Sequence, residues 1–204
     1  RCTRDDDTVR QIDVHPQGII DAAITEEDRI GGFQRYACQL RAALPVWYDP
    51  EGGSYSAIGG ASTGSYGFTI PMTIDWVMVS GSTIGTTITI PYQGTWSVFP
   101  PITLYGPLAG VTVTNETTSE VLDFPSLTLA AGEYIVVDLA YGAKTVTDDT
   151  GANRIDELSS DSDLATFNLT ADGDGNNTIH FDVAANATDD TGIKIDYAQH
   201  YIAL

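Results

Sequence analysis

A chain of 204 residues, 42% of them apolar, is long enough to bury the core of one large β-domain without disulfide or metal staples. Its net charge of −19 comes from 21 Asp and 7 Glu against 7 Arg and two lysines, Lys144 and Lys194. So acidic a surface repels phosphate backbones and anionic lipid, which excludes nucleic acid and anionic membranes as expected partners, and no apolar run approaches the roughly 20 residues that span a bilayer.

Two readings of the charge stand side by side. One is a plain solubilising surface that keeps a structural protein from associating non-specifically. The other is adaptation to high salt, where dense short carboxylates stay hydrated and their self-repulsion is screened; the excess of Asp and the scarcity of Lys favour it. The chain opens on Arg1 without a charged-then-apolar leader, which predicts a processed or truncated product.

In chain order, β-rich runs are expected at 9–14, 33–44, 67–79, 86–92, 101–104, 111–115, 126–129, 134–139, 166–169, 178–183 and 192–202. Helix signals are weak: Thr25 can cap a turn over Glu26, Glu27 and Asp28, and Gly31-Gly32 stops it. Turn residues separate the runs, among them Asp49-Pro50-Glu51-Gly52-Gly53, Gln93-Gly94, Tyr105-Gly106-Pro107, Ala131-Gly132, Asp148-Asp149-Thr150-Gly151 and Asp172-Gly173-Asp174-Gly175. Short strands spaced in this way predict an all-β protein, an antiparallel β-sandwich of galectin-like or jelly-roll type with little helix. The prolines of Phe99-Pro100-Pro101-Ile102 are expected on a sheet edge, because proline donates no ladder hydrogen bond. Cys2 and Cys38 fall in different expected strands and read as buried free thiols rather than a bridge.

Composition shifts near residue 50. Residues 1–50 hold six of the nine basic residues, and only Lys144, Arg154 and Lys194 follow. A boundary is therefore expected there, dividing the chain into 1–50 and 51–204, with a Gly/Ser-rich hinge or loop at about 51–66. The first part is too short to bury a core alone.

Three stretches carry a resemblance. FQRYACQLRAALPVWYDP at 33–50 is similar to the strand and DP-type exit of the ring-forming domain of siphovirus distal tail proteins. YQGTWSVFPPITLYGPLAGVTVTN at 92–115 resembles the next segment of that family, with its proline-containing strand, Gly-Pro turn and strand ending in Asn. The Gly132-Glu133 strand ending at Asp138 follows, then Gly151-Ala152-Asn153-Arg154, Leu158, Phe167-Asn168-Leu169 and the turn before Asn177-Thr178-Ile179. The set covers most of 33–200 in order, although 172–176 is more acidic than the family's usual turn. The resemblance implies a structural virion protein at the distal end of a viral tail, in a homohexameric ring. Residues 1–50 would be the C-terminal part of the ring domain and 51–204 a galectin-like sandwich. Its implied partners are copies of itself, the tail tube protein and the tail tip, hub or receptor-binding proteins.

The motifs of chemistry are sparse. His15, His180 and His200 have no metal-ligand spacing, and His180, between Ile179 and Phe181, is expected to face solvent. No nucleophile elbow, P-loop or dinucleotide fingerprint is present, so no catalytic residue, cofactor-binding residue or enzyme activity is expected. Asp172, Asp174 and Asn176 resemble the first half of a calcium loop, since alternate oxygen ligands converge on a hard cation. Val183 stands where the closing bidentate Glu belongs, and a hairpin turn accounts for the same residues, so calcium is the secondary reading. Asp5-Asp6-Asp7 reads as a solvated loop tip. Sequons begin at Asn115, Asn168, Asn176 and Asn186. Trp76, Tyr92, Trp96 and Tyr105 are the candidates for stacking on a sugar, against the plainer reading of rings in a core. A carbohydrate-binding module contacting a host surface is accordingly the alternative function.

Overall fold

The computed structural model describes residues 2–3, 9–17, 39–59, 84–171 and 173–202. The chain divides into two compact units, Arg1–Pro50 with Tyr201–Leu204, and Glu51–His200. The expected turn at 25–28, the expected strand at 67–79, Asp5-Asp6-Asp7 and Cys38 lie outside the described residues.

In the first unit β1 (Cys2–Thr3) pairs antiparallel with β2 (Val9–Arg10), and β3 (His15–Pro16) with β4 (Leu40–Arg41). β5 is Trp47–Tyr48, within the WYDP sequence. Gln11 and Tyr48 exchange backbone hydrogen bonds of 2.9 and 2.8 Å. The Tyr48 hydroxyl donates to the Asp13 carboxylate at 3.0 Å and accepts from Gln11 Nε2 at 2.8 Å. Burial, then the bond to Asp13, raises the Tyr48 pKa. The Arg10 guanidinium stands 3.5 Å from the centroid of the Tyr201 ring.

The second unit is built from β6 (Gly53–Gly59), β7 (Ile84–Pro91), β8 (Ile102–Tyr105), β9 (Leu108–Asn115), β10 (Glu120–Leu129), β11 (Tyr134–Asp138), β12 (Thr145–Asp148), β13 (Asn176–Ala185) and β14 (Thr191–Tyr197). A last pair of residues, His200–Tyr201, forms β15, and a single 3-10 turn spans Ile155–Glu157. Pairing is antiparallel in two sheets of order β10-β9-β13-β7 and β12-β11-β8-β14-β6. With β12 set aside as an added edge, the other eight strands taken in chain order read 1-8-3-6 and 2-7-4-5. That is the double Greek key of a jelly roll, so the all-β sandwich expected from the sequence is the fold.

Strict alternation explains why these residues form these strands. β13 buries Asn177, Ile179, Phe181 and Val183 and turns Thr178, His180, Asp182 and Ala184 outward. Ile88 and Ile90 of β7, Val111 and Val113 of β9, and Leu122, Phe124, Leu127 and Leu129 of β10 complete that inner face. Facing them in the same cluster are Ile102, Leu104, Ile135, Val137, Val146, Ile193 and Ile195 from the other sheet. β10 slips register between Phe124 and Thr128, where Pro125 occupies the bulge and Gly110 of β9 takes a φ of 68° beside it.

The connection from β12 to β13 is pinned by polar groups. Ser159 to Asp163 run along the free edge of β10: Asp163 N–H donates to Val121 O at 2.7 Å and its carboxylate accepts from Val121 N–H at 2.9 Å. Asp123 is satisfied likewise by Ser159 N–H at 2.8 Å and Ser162 Oγ at 2.9 Å. An exposed strand edge that would template association is thereby covered. Further on, the buried Asn177 carboxamide acts as a strand partner for Thr170, accepting from its N–H and donating to its C=O, both at 2.9 Å. Tyr92, fully buried, closes the other end: its hydroxyl donates to Trp96 O at 2.5 Å and accepts from His200 N–H at 2.9 Å. Gly94 is required beside it, since a Cβ there would lie 2.5 Å from the Tyr92 hydroxyl.

Three sequence expectations are corrected. Residues 53–59, within the expected hinge, form β6, because β14 supplies a backbone partner along its whole length. Pro100 and Pro101 are not in an edge strand; they precede β8, which lies between β11 and β14 and needs every N–H it has. Residues 166–169 make only one bridge, Leu169 to Val98, because side chains rather than a ladder hold that segment.

Replacing Asn177 with Ala leaves the Thr170 N–H and C=O buried without partners. It is expected to cost about 1–3 kcal/mol, read as a lowered denaturation midpoint in urea at unchanged slope.

Candidate functional site

Two open clefts lie on the second unit, and they differ in chemistry. The first, about 550 Å³, lies on the outer face of the four-stranded sheet and is lined by Gly85, Thr112, Asp123, Pro125, Asp182 and Ala184 among others. Register creates it: Gly85 pairs with Asp182, Asp182 with Thr112, and Thr112 with Asp123, in one row across four strands. Gly85 leaves the row hollow, because a Cβ there would stand 2.9 Å from Asp182 Oδ1. Thr112 Oγ1 donates to Asp123 Oδ1 at 2.9 Å.

The neighbouring row carries His180, whose Nδ1 lies 3.0 Å from Thr87 Oγ1 and whose Nε2 lies 2.9 Å from Asp182 Oδ2. A hydroxyl, an imidazole and a carboxylate in that order are the parts of an activated nucleophile. Here they sit on an outward sheet face, with the His180 side chain one-third exposed and Asp182 more so. Water screens the carboxylate and competes for the imidazole, and cross-strand pairing accounts for all three contacts. His180 was expected to face solvent, and it does stand on the outer face.

The second cleft, about 580 Å³, is more apolar and is lined by Val98, Phe99, Pro100, Pro101, Tyr197 and His200 with Asp196 at its side. Tyr197 packs edge-on to Tyr92 at 6.0 Å and donates to Pro91 O at 3.1 Å, which fixes that wall. Burial holds the His200 imidazole below its usual pKa. Asp196 pairs with Lys194 at 2.7 Å on the outer face of the five-stranded sheet.

The sequence-derived candidates fall as follows. Asp174 and Asn176 sit in the turn entering β13, and the Asp174 carboxylate is already engaged by Asn176, through its side-chain amide at 3.0 Å and its N–H at 2.9 Å. Those bonds lower the Asp174 pKa and cap the turn, while Asp172 lies outside the described residues. Among the described residues no three His, Cys, Asp or Glu side chains converge as a metal set. Of the aromatic candidates, Trp76 is outside the described residues, and Tyr92 is fully buried, so its ring is closed to a sugar. Trp96 is 49% exposed, just before the cleft-lining 98–101 segment. Tyr105 is half-buried and tilted against Tyr134 at 5.9 Å on the other sheet's outer face. Among the described residues, the fold does not gather Tyr92, Trp96 and Tyr105 into one platform. Of the sequon asparagines, Asn115 is buried and Asn186 exposed.

What single-sequence reading missed is the pairing itself. Thr87, Thr112, Asp123 and Asp182 carry no motif, and only the strand order brings them together. Asp148 is a similar case. Its carboxylate accepts from Thr150 Oγ1 at 2.6 Å and from the N–H groups of Thr150 and Ala152 at 3.0 and 2.9 Å, with Arg154 3.6 Å away. The Thr150 hydroxyl is the leading cause that holds its pKa below the ordinary carboxylate value.

Compared with family models, curated proteins and solved structures, the chain matches none.

A carboxylate whose folded pKa is depressed stabilises the fold above its unfolded value, near 3.9 for Asp, and loses that contribution as pH falls through the folded value. Asp148→Asn is therefore expected to lower the melting temperature at neutral pH. The gap to the parent should close once the pH drops well below about 3.9, as followed by thermal denaturation across a pH series.

Proposed function

We propose that this chain is a structural protein of a virus particle, a subunit of a homohexameric ring at the distal end of a tail that joins the tail tube to the tip or receptor-binding apparatus. The observation that carries the reading is where the chain divides. The ordered resemblance to distal tail proteins puts the exit from the ring domain at WYDP, and the compact units part between Pro50 and Glu51. The second unit then supplies the peripheral sandwich that such a ring subunit carries, here a jelly roll. Its role is architectural, and no reaction on an external substrate is assigned to it. The strongly acidic surface keeps free subunits apart until complementary faces meet, and a ring buries heterologous surfaces that close on themselves.

One observation favours the alternative of a carbohydrate-binding module, the exposed Trp96 ring beside the proline-lined cleft. Mass photometry and negative-stain imaging of the purified chain, in low and in molar salt, separate the two. Closed hexameric rings are expected. A monomer at both salt concentrations that binds a glycan array, and loses binding in Trp96→Ala, would replace the ring with the lectin reading.

A further inference from the structure

Among the described residues, two buried side-chain atoms lack any hydrogen-bond partner, Lys144 Nζ and Asn168 Oδ1. Leaving such groups without a hydrogen bond is costly. The two belong to one cluster. The antiparallel bridge between Val98 and Leu169 turns both of those side chains into the core. It thereby sets their neighbours, Phe99 and Asn168, opposite one another on the other face. Lys144 Nζ stands over the Phe99 ring, 4.1 Å from its centroid. From the other side, the Glu120 carboxylate accepts from Asn168 N–H at 3.1 Å and from Asn168 Nδ2 at 3.3 Å. A lysine amine, an asparagine carboxamide and a carboxylate are thus gathered around one aromatic ring.

Opposing influences act on the Lys144 head group. The Phe99 face favours the ammonium, whereas desolvation is the larger influence and pushes the Lys144 pKa below the ordinary lysine value, against the pull of Asp138 and Glu120. Lys144 also holds a φ of 51°, a left-handed conformation that non-glycine residues seldom adopt and that persists where the surroundings impose it. One of only two lysines in the chain is spent on this position.

We propose that Lys144 and Asn168 are joined by an isopeptide bond that the folded chain forms on itself, with Glu120 transferring the protons. A proton passes from the Lys144 ammonium to the Glu120 carboxylate, leaving a neutral amine. The amine nitrogen attacks Asn168 Cγ, forming the new C–N bond while the C=O π pair moves onto Oδ1. Glu120 relays the proton shed by the attacking nitrogen to Nδ2. The Cγ–Nδ2 bond breaks and ammonia leaves. Amine and carboxamide become a secondary amide and ammonia, with nothing oxidised or reduced and no other reactant consumed. The bond would tie the 139–144 connection to the 166–171 segment and remove both unpartnered atoms at once. It would do so within the second unit alone, whatever assembly the chain enters.

Intact mass spectrometry of the purified chain tests this directly. The expected mass is one ammonia below that of the sequence, and protease digestion followed by tandem spectrometry should yield a branched peptide joining Lys144 to Asn168. Glu120→Gln, Asn168→Ala and Lys144→Arg, each checked for folding by circular dichroism, should return to the full sequence mass. An unshifted parent mass overturns the proposal without reference to any variant. So does an ammonia loss that maps to a linear peptide, as cyclisation of an asparagine onto its own backbone would give.

Discussion

The register of β13 is the constraint on which the second unit depends. This strand pairs on one side with β7 and on the other with β9, and its inward residues Ile179, Phe181 and Val183 are nearly sealed from solvent. A slip of one position would turn those three outward and press His180 and Asp182 into the core, a change that costs apolar burial and charge desolvation together. The same alternation aligns Asn177 with Thr170 and sets Asp182 in the row with Gly85, Thr112 and Asp123. The core, the closing loop and the polar outer cleft therefore follow from a single pairing.

Around that register, polar side chains do work that backbone ladders do elsewhere. Asp163 and Ser162 complete the edge of β10, Asn177 completes Thr170, and Asn115 Nδ2 reaches Asn168 O at 2.7 Å. Each replaces a strand that is not there, so the long connection from β12 to β13 stays attached without regular structure. Among the described residues, Lys144 Nζ and Asn168 Oδ1 stand apart as buried atoms without a hydrogen bond, and the proposed covalent closure would use both.

An architectural role and a self-formed crosslink are physically consistent with each other. A subunit in the proposed architectural role would need a scaffold that resists unfolding more than it would need a mobile cleft. Among the described residues, the outer face of the four-stranded sheet carries threonines and carboxylates such as Thr87, Thr112, Asp123 and Asp182, which suits a chain that stays dispersed until a specific partner is met. The polar row around His180 adds cross-strand stabilisation to that face.

The β-class of the fold was legible in the sequence because it rests on local rules. Alternation at 86–92, 111–115, 134–139 and 178–183 marks four of the strands, and turn residues such as Gly132 and Gly175 mark what separates them, since only neighbours along the chain decide those features. β6 was not legible, because its Gly/Ser composition carries no strand signal and its existence depends on β14, more than a hundred residues away. The prolines at 100 and 101 suggested an edge strand, whereas the fold stops them one residue short of a central one. For Asp174 and Asn176 the sequence already favoured a turn over calcium, and in the fold Asn176 is hydrogen-bonded to the Asp174 carboxylate. The sequence by itself determined an acidic, antiparallel all-β chain. Which strands pair, which rings are buried, and that Lys144, Glu120 and Asn168 meet beside Phe99 were decided by tertiary structure alone, because contacts between distant strands are set by register and closure, which no local pattern encodes.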